Sequence, residues 1–442
     1  MSKEAPKLLI ADARNKIYDV PFLEATGMKA GEHFRLDPSC LVKLPRDSEL
    51  FMLPCRTPVG YDPEEDRYVR LSSNPFNKTD EPCSAVAAFL SPGYTSVFSA
   101  SYKERKDADL LPLFSYAAVA FYKGDFYAAG IKVDAERRQQ LKGMDISLVK
   151  KNVQTFRGVF PKNRLVRHLE TCALVYGCPA AKNFFLKRYE GPLPTSPICN
   201  ATCIGCISYQ GGKSCSVSQS RITFVPTPEE IAEVAIFHIK EVADPVVSFG
   251  QGCEGEPVMV GDVLEKAVKL IRHSTSKGVI NLNTNASKPD VVKRLFDVGL
   301  DSIRVSMNSV REKFYTAYYR PKGYSFKDVI SSIKIARKAG GFVSINYLAM
   351  PGFTDSRPEA DAFLKFIGKT DVDMVQWRNL NYDPVAYFRK MKIKVAREDM
   401  IGMDTLVMLV EDEYPGTMKG YFNPSKGRIR RFSRSSLKTD GK

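Results

Sequence analysis

From about residue 190 the chain alternates short apolar runs with longer stretches of helical periodicity. Residue 227 opens the first clear helix: Thr227 is followed by Pro228 and by Glu230 three positions on, a capping box. Its apolar positions Ile231, Val234, Ala235, Ile239 and Val242 fall on one face. The run at 246–249 then predicts a strand, and 260–273 a helix with Val263, Leu264, Ala267, Val268 and Ile271 aligned. Strands are predicted at 279–282, 302–306, 342–348 and 373–377. Helices are predicted at 289–298, stopped by Gly299, at 325–339, closed by Gly340, and at 357–368 and 399–413. Before residue 190 the texture differs. The stretch 111–134 reads as strands broken at Lys123-Gly124-Asp125, and 49–54 and 67–71 read as short strands between Pro, Gly and Asp.

Strands alternating with helices predict βαβ units and a parallel sheet, an α/β class, with six strands if one precedes Cys199. Ligands of such sheets sit at the C-terminal strand ends. Three regions are expected: a mixed, β-rich accessory domain over 1–190, an α/β core over 191–385, and a C-terminal helix with a basic tail over 386–442. The tail carries Lys419, Lys426, Arg428, Arg430, Arg431, Arg434 and Lys438 without an acid, and reads as a solvated terminus.

Composition changes the picture in two ways. The net charge of +15 suits an anionic partner such as RNA, a phosphorylated molecule or an acidic protein face. No stretch of about 18 apolar residues occurs, and the first residues do not read as a secretory signal, so no membrane span and a cytoplasmic location are expected. In a reducing compartment the ten cysteines are not a disulfide framework, and tight spacing among them points to metal or redox chemistry.

That spacing is found at Cys199, Cys203 and Cys206, a C-x3-C-x2-C loop. A [4Fe–4S] cube takes four ligands, so three cysteines leave one iron for another group. A structural zinc site is the alternative, with Cys215 as a fourth ligand, and would make the chain a zinc-stabilised nucleic-acid-binding protein.

The loop, followed by about six βα units, resembles the radical S-adenosylmethionine (SAM) superfamily. The resemblance covers roughly residues 191–385 and implies a partial (β/α)6 barrel. It implies a [4Fe–4S] cluster on the three cysteines, with the fourth iron chelated by SAM. It further implies reductive cleavage of SAM, a 5′-deoxyadenosyl radical that abstracts hydrogen from substrate, and an electron donor such as flavodoxin or ferredoxin. Gly255-Glu256-Pro257 looks like the family's Gly-Gly-Glu-Pro motif, whose Glu accepts from the SAM ammonium. Asn283-Thr284-Asn285 resembles the Thr-Asn-Gly turn, and Ser306-Met307-Asn308 the Ser-Leu-Asp segment that contacts the SAM ribose or carboxylate. The residue before the third cysteine, commonly aromatic in the family, is Gly205, and Tyr209 is the candidate substitute at adenine.

No cysteine follows Cys253, so C-terminal auxiliary-cluster extensions and a late-barrel methylation cysteine are not expected. The basic charge and the large extra region favour a macromolecular substrate, RNA or protein. A glycyl-radical activase and an enzyme of a small anionic metabolite are the alternatives. Cys172 and Cys178 lie just upstream of the loop and are candidates for a second cluster.

Overall fold

The computed structural model describes residues 4–77, 81–210, 215 and 217–439. Its N-terminal region is an eleven-stranded, largely antiparallel sheet with a three-stranded companion. Lys7–Ala11 lies at the centre and pairs with Ile17–Glu24, Ser84–Phe89 and Val119–Tyr122. The hairpin expected at Lys123-Gly124 joins Val119–Tyr122 to Asp125–Lys132. Both turn residues have positive φ (49° and 76°), the conformation whose twist matches that of the flanking strands.

Three helices follow: α1 (Ile146–Val159), α2 (Arg164–Leu174) and α3 (Pro179–Phe185). Asp145 and Asn163 cap the first two. Their apolar faces, with Val149, Val153, Phe156, Leu165 and Leu169, join the same core as the following α/β region.

That region is a seven-stranded, all-parallel sheet in strict chain order, which curves into a half-barrel: β1 (Glu190–Pro192), β2 (Val246–Phe249), β3 (Val279–Thr284), β4 (Ser302–Met307), β5 (Phe342–Ala349), β6 (Met374–Asn379) and β7 (Met418–Gly420). Its helices are α4 (Pro228–Glu241), α5 (Gly261–Ser274), α6 (Pro289–Asp297), α7 (Glu312–Tyr319), α8 (Phe326–Lys338), α9 (Arg357–Thr370), α10 (Pro384–Met391), α11 (Met403–Glu413) and α12 (Lys426–Thr439). The Thr227 capping box forms, with both reciprocal bonds present.

The strands alternate. Ile280, Leu282, Ile303, Val305, Val343, Ile345, Val375 and Trp377 pack into the hydrophobic core. The residues between them turn the other way and make a polar lumen: Asn281 donates to Ser248 Oγ (3.3 Å), Ser302 Oγ donates to Asn281 (2.8 Å), and Arg304 Nη1 reaches Gln376 Oε1 (3.3 Å).

The C-terminal segment departs from the solvated tail expected of it. Met418–Gly420 adds a seventh strand beside β6. Asn423 is buried in the lumen and donates to Glu190 (2.8 Å) and Asn283 (3.2 Å) while accepting from Gln376 (3.0 Å). Arg428 Nη1 bonds Asp134 at 2.8 Å. Buried polar partners on β1, β3 and β6 hold the segment down, which its basic charge alone does not reveal. The side chains of Arg434 and Lys438 lie outside the described residues.

Two halves of the chain meet through buried polar contacts. Asp383 accepts from Arg56 Nη2 (3.0 Å), Tyr102 Oη (3.3 Å) and the Leu111 amide (3.3 Å). Thr95 donates to the Trp377 carbonyl, and Asn379 accepts from the Ser96 amide. Among the described residues no helix is long and apolar enough to cross a membrane.

Candidate functional site

The cysteine loop leaves the C-terminal end of β1, where the strand-end rule places ligands. Cys199, Cys203 and Cys206 are all half-buried and free. The Thr202 and Ile204 amides donate to the Tyr319 and Tyr318 carbonyls, which fastens the loop to the end of α7. Burial first, and then neighbouring charge, pushes the Cys199 thiol up to about 11 and the Cys203 thiol well above its usual range. For Cys203 those charges are Cys206, Cys199 and, more weakly, Glu256. Cys215 stands apart, its sulfur 3.8 Å from the Leu111 carbonyl of the N-terminal region.

A second loop runs against the first. The Gly255 amide donates to Ser196 O (2.6 Å) and the Glu256 amide to Ile198 O (2.8 Å). A Cβ on Gly255 would lie 2.0 Å from Ile198 O, so only glycine permits this approach. Glu254, which no sequence motif marks, locks both loops. Its buried carboxylate accepts from the Thr195, Ser196, Gly250 and Gln251 amides at 2.7–3.0 Å. The signal was present, since two acids two residues apart in a glycine-rich turn serve different partners.

Glu256 accepts from Thr284 Oγ1 (2.5 Å) and the Asn285 amide (2.7 Å), which joins the β2 and β3 ends. Burial pushes its carboxyl up to about 7 against these bonds. Among the described residues it has no ion pair, so a cationic ligand would find a desolvated, uncompensated carboxylate there. Pro257 begins a single 3-10 turn, Pro257–Val260. The Thr-Asn-Gly likeness shifts by one position: Ala286 has φ 57°, the conformation a glycine would hold, so Thr284-Asn285-Ala286 makes that turn. Asn285 Nδ2 reaches Asn200 in the cysteine loop (2.9 Å), whereas Asn283 braces the end of β2 through the Phe249 and Gly250 carbonyls.

The remaining residues divide. Ser306 Oγ meets Asn346 Nδ2 at 3.4 Å in the lumen. Asn308 is fully buried, its amide directed at Phe314 O and Tyr387 Oη, with Oδ1 unpartnered. Tyr209 is 51% exposed under the Arg221 guanidinium, whose Nη2 is 3.6 Å from Cys206 Sγ. Gly205 is explained by Tyr318: an added Cβ would meet its hydroxyl at 2.7 Å.

A cavity of roughly 470 Å³ adjoins both loops, lined by Ile207, Gln251, Asn283, Arg304, Arg378 and Asn381 among others. Arg304 was not read from the sequence. It is half-buried in the lumen with Nε shielded and unpartnered, and burial, then the charge of Arg378, lowers it to about 9.

The family profile described as the radical SAM superfamily matches residues 193–364. That segment is a radical SAM domain. It holds the cysteine loop, the turn with Glu254 and Glu256, and the ends of β3 and β4, and the superfamily's cofactors are a [4Fe–4S] cluster and SAM. The FeMo cofactor biosynthesis protein NifB of Klebsiella pneumoniae is 28% identical over 185 residues, 37% of this chain and 38% of NifB, so the match spans well under half of that relative. Among solved structures, the [FeFe]-hydrogenase maturase HydG is similar at 16% identity over 64% of this chain and 66% of its own, with a TM-score of 0.37. The structure of anSMEcpe with bound AdoMet is similar at 18% identity over 43% and 52%, with a TM-score of 0.33. The members of that superfamily are enzymes, and the matched segment carries the cysteine loop.

Proposed function

We propose that Cys199, Cys203 and Cys206 hold the [4Fe–4S] cluster, that Glu256 receives the SAM ammonium, and that Arg304 and Arg378 draw an anionic substrate into the lumen beside them. When bound, the cluster and SAM together supply one-electron cleavage and hydrogen abstraction. The chain's part is to orient and to shield. Glu254 fixes the two loops, Asn285 ties the SAM-side turn to the cysteine loop, and Tyr318 packs under Gly205.

The observation that carries the substrate class is Arg304, a half-buried guanidinium that lines an open cavity together with Arg378. A carboxylate or phosphate would complete its donor set. Asn283 and the adjacent Ser306–Asn346 pair offer further polar groups for SAM or substrate, with Asn308 behind them and Tyr209 at the rim near adenine.

A macromolecular substrate, RNA or protein, is the second reading, favoured by the net charge of +15. It requires an anionic group that projects into the same lumen. Flavodoxin or ferredoxin as reductant, and a cytoplasmic location, accompany both readings.

The test uses anaerobically reconstituted protein with dithionite and SAM. Release of 5′-deoxyadenosine is expected, and its loss in Cys203→Ala. Arg304→Ala is expected to keep basal release and to lose stimulation by an extract's anionic fraction. Persistent silence of the cluster-loaded wild type would sink the reading.

A further inference from the structure

Outside the cysteine loop, a second group of metal-ligating side chains comes together. His168 and Cys172 lie one turn apart on α2, on one helix face, with Nε2 and Sγ 3.5 Å apart. Cys253 arrives from the loop after β2 and hydrogen-bonds the Cys172 sulfur. The ligand atoms of His168, Cys172 and Cys253 all lie within 4.8 Å of one another. Cys172 and Cys253 are buried, whereas His168 is half-buried. Cys178 stands next to them: its amide donates to the Cys172 carbonyl (2.9 Å), and its charge is felt at Cys253. It occupies the N-cap of α3 without a side-chain capping bond.

We infer that His168, Cys172 and Cys253 form a structural site for one tetrahedral thiophilic divalent ion, zinc by chemistry, that fastens α2 to the loop carrying Glu254 and Glu256, with the neighbouring Cys178 at the start of α3 supplying the fourth ligand once the ion binds. Three sulfurs and one imidazole nitrogen are a closed zinc ligand set. With Zn–S about 2.3 Å and Zn–N about 2.0 Å, tetrahedral geometry sets ligand atoms roughly 3.5–3.8 Å apart. The observed spacing suits a single ion. A four-iron cube would spread its thiolates further. The site lies one residue from Glu254 in sequence, so the ion would hold from outside the turn that Glu254 holds from within.

The experiment measures zinc and iron in the full chain, purified anaerobically from zinc-supplemented cells. About one zinc per chain is expected in the wild type, beside the cluster iron. Cys206→Ala should lose iron and keep zinc. Cys253→Ser and Cys172→Ser should lose zinc by at least about tenfold. Cobalt added to metal-stripped wild type should give a thiolate-to-cobalt absorption band, a reading that needs no variant to fold. Wild type without zinc or cobalt binding overturns the site. So does zinc that disappears with Cys206→Ala, or iron near eight per chain that halves in Cys253→Ser, which would mean a second cluster. The zinc and cobalt readings on the wild type need no SAM, so their failure is distinct from a failure of SAM cleavage.

Discussion

Glu256 carries both the geometry of the SAM side and a pH dependence. Its carboxyl titrates near 7 because burial outweighs the donors from Thr284 and Asn285. The ionised form is the one that attracts an ammonium, so below about 7 binding must first release a proton. SAM affinity is therefore expected to rise with pH up to about 7, by at most about tenfold per unit, and then level. Glu256→Gln should remove that part of the slope and weaken binding roughly 10–100-fold, measured by calorimetry on cluster-loaded protein. Identical slopes in the two proteins would exclude this role. At this scale the sequence marks candidates where identity and spacing are distinctive, as at Cys199, Cys203, Cys206 and Gly255-Glu256-Pro257. It was silent on Arg304, whose meaning depends on β4 alternation aiming it at a cavity that β6 and the C-terminal segment complete. Asn283, a candidate ligand contact, also braces a strand end, its amide donating to two backbone carbonyls.

Elements were legible to the degree that their stabilisation is local. The α4 start was readable because Thr227 and Glu230 satisfy each other's amides. The structure adds that Glu230 also accepts from Arg164 on α2, at 2.7–2.9 Å through the guanidinium and backbone. Arg164 first, then the backbone donors, holds the Glu230 carboxyl down at about 2. A lowered carboxyl stabilises the fold above its unfolded value and loses that contribution as pH falls through about 2. Glu230→Gln is expected to cost about 1–2 kcal/mol in urea unfolding at neutral pH, with the difference shrinking in acid. A variant as stable as wild type at neutral pH would count against the double role. Helices α1 to α3 had caps and apolar spacing of their own, at Asp145 with Val149, Val153 and Phe156, yet the surrounding strand-rich texture hid them. The seventh strand was illegible for a different reason: Met418–Gly420 is three residues long and strand-like only because β6 offers an edge.

At the scale of the whole molecule, the N-terminal sheet is bound to the half-barrel by charge buried from water. Arg56 and Asp383 are each at most 2% exposed, and Asp383 also caps α10 through the Ala386 amide. Removing one partner leaves the other charged and desolvated, so Asp383→Ala is expected to cost about 3–5 kcal/mol. Thermal unfolding followed by circular dichroism would register it, and a loss below about 0.5 kcal/mol would mean that water reaches the gap. The regional plan of β-rich start and α/β core was readable from texture alone. The joining contacts were not, because Arg56 and Asp383 are more than 300 positions apart.

Asn423 has one more implication, for the order of synthesis. It links Glu190, Asn283 and Gln376 at the centre of the lumen, and the strand just before it covers the β6 edge. A ribosome that has made only the first 400 residues has made every predicted cofactor ligand, yet the lumen still lacks its last polar partner and β6 presents a bare row of amides and carbonyls. Unpaired edges of that kind recruit other chains. The nascent chain is therefore most vulnerable to aggregation at that edge until residues 418–423 have emerged, and a shielding chaperone would matter most in that interval.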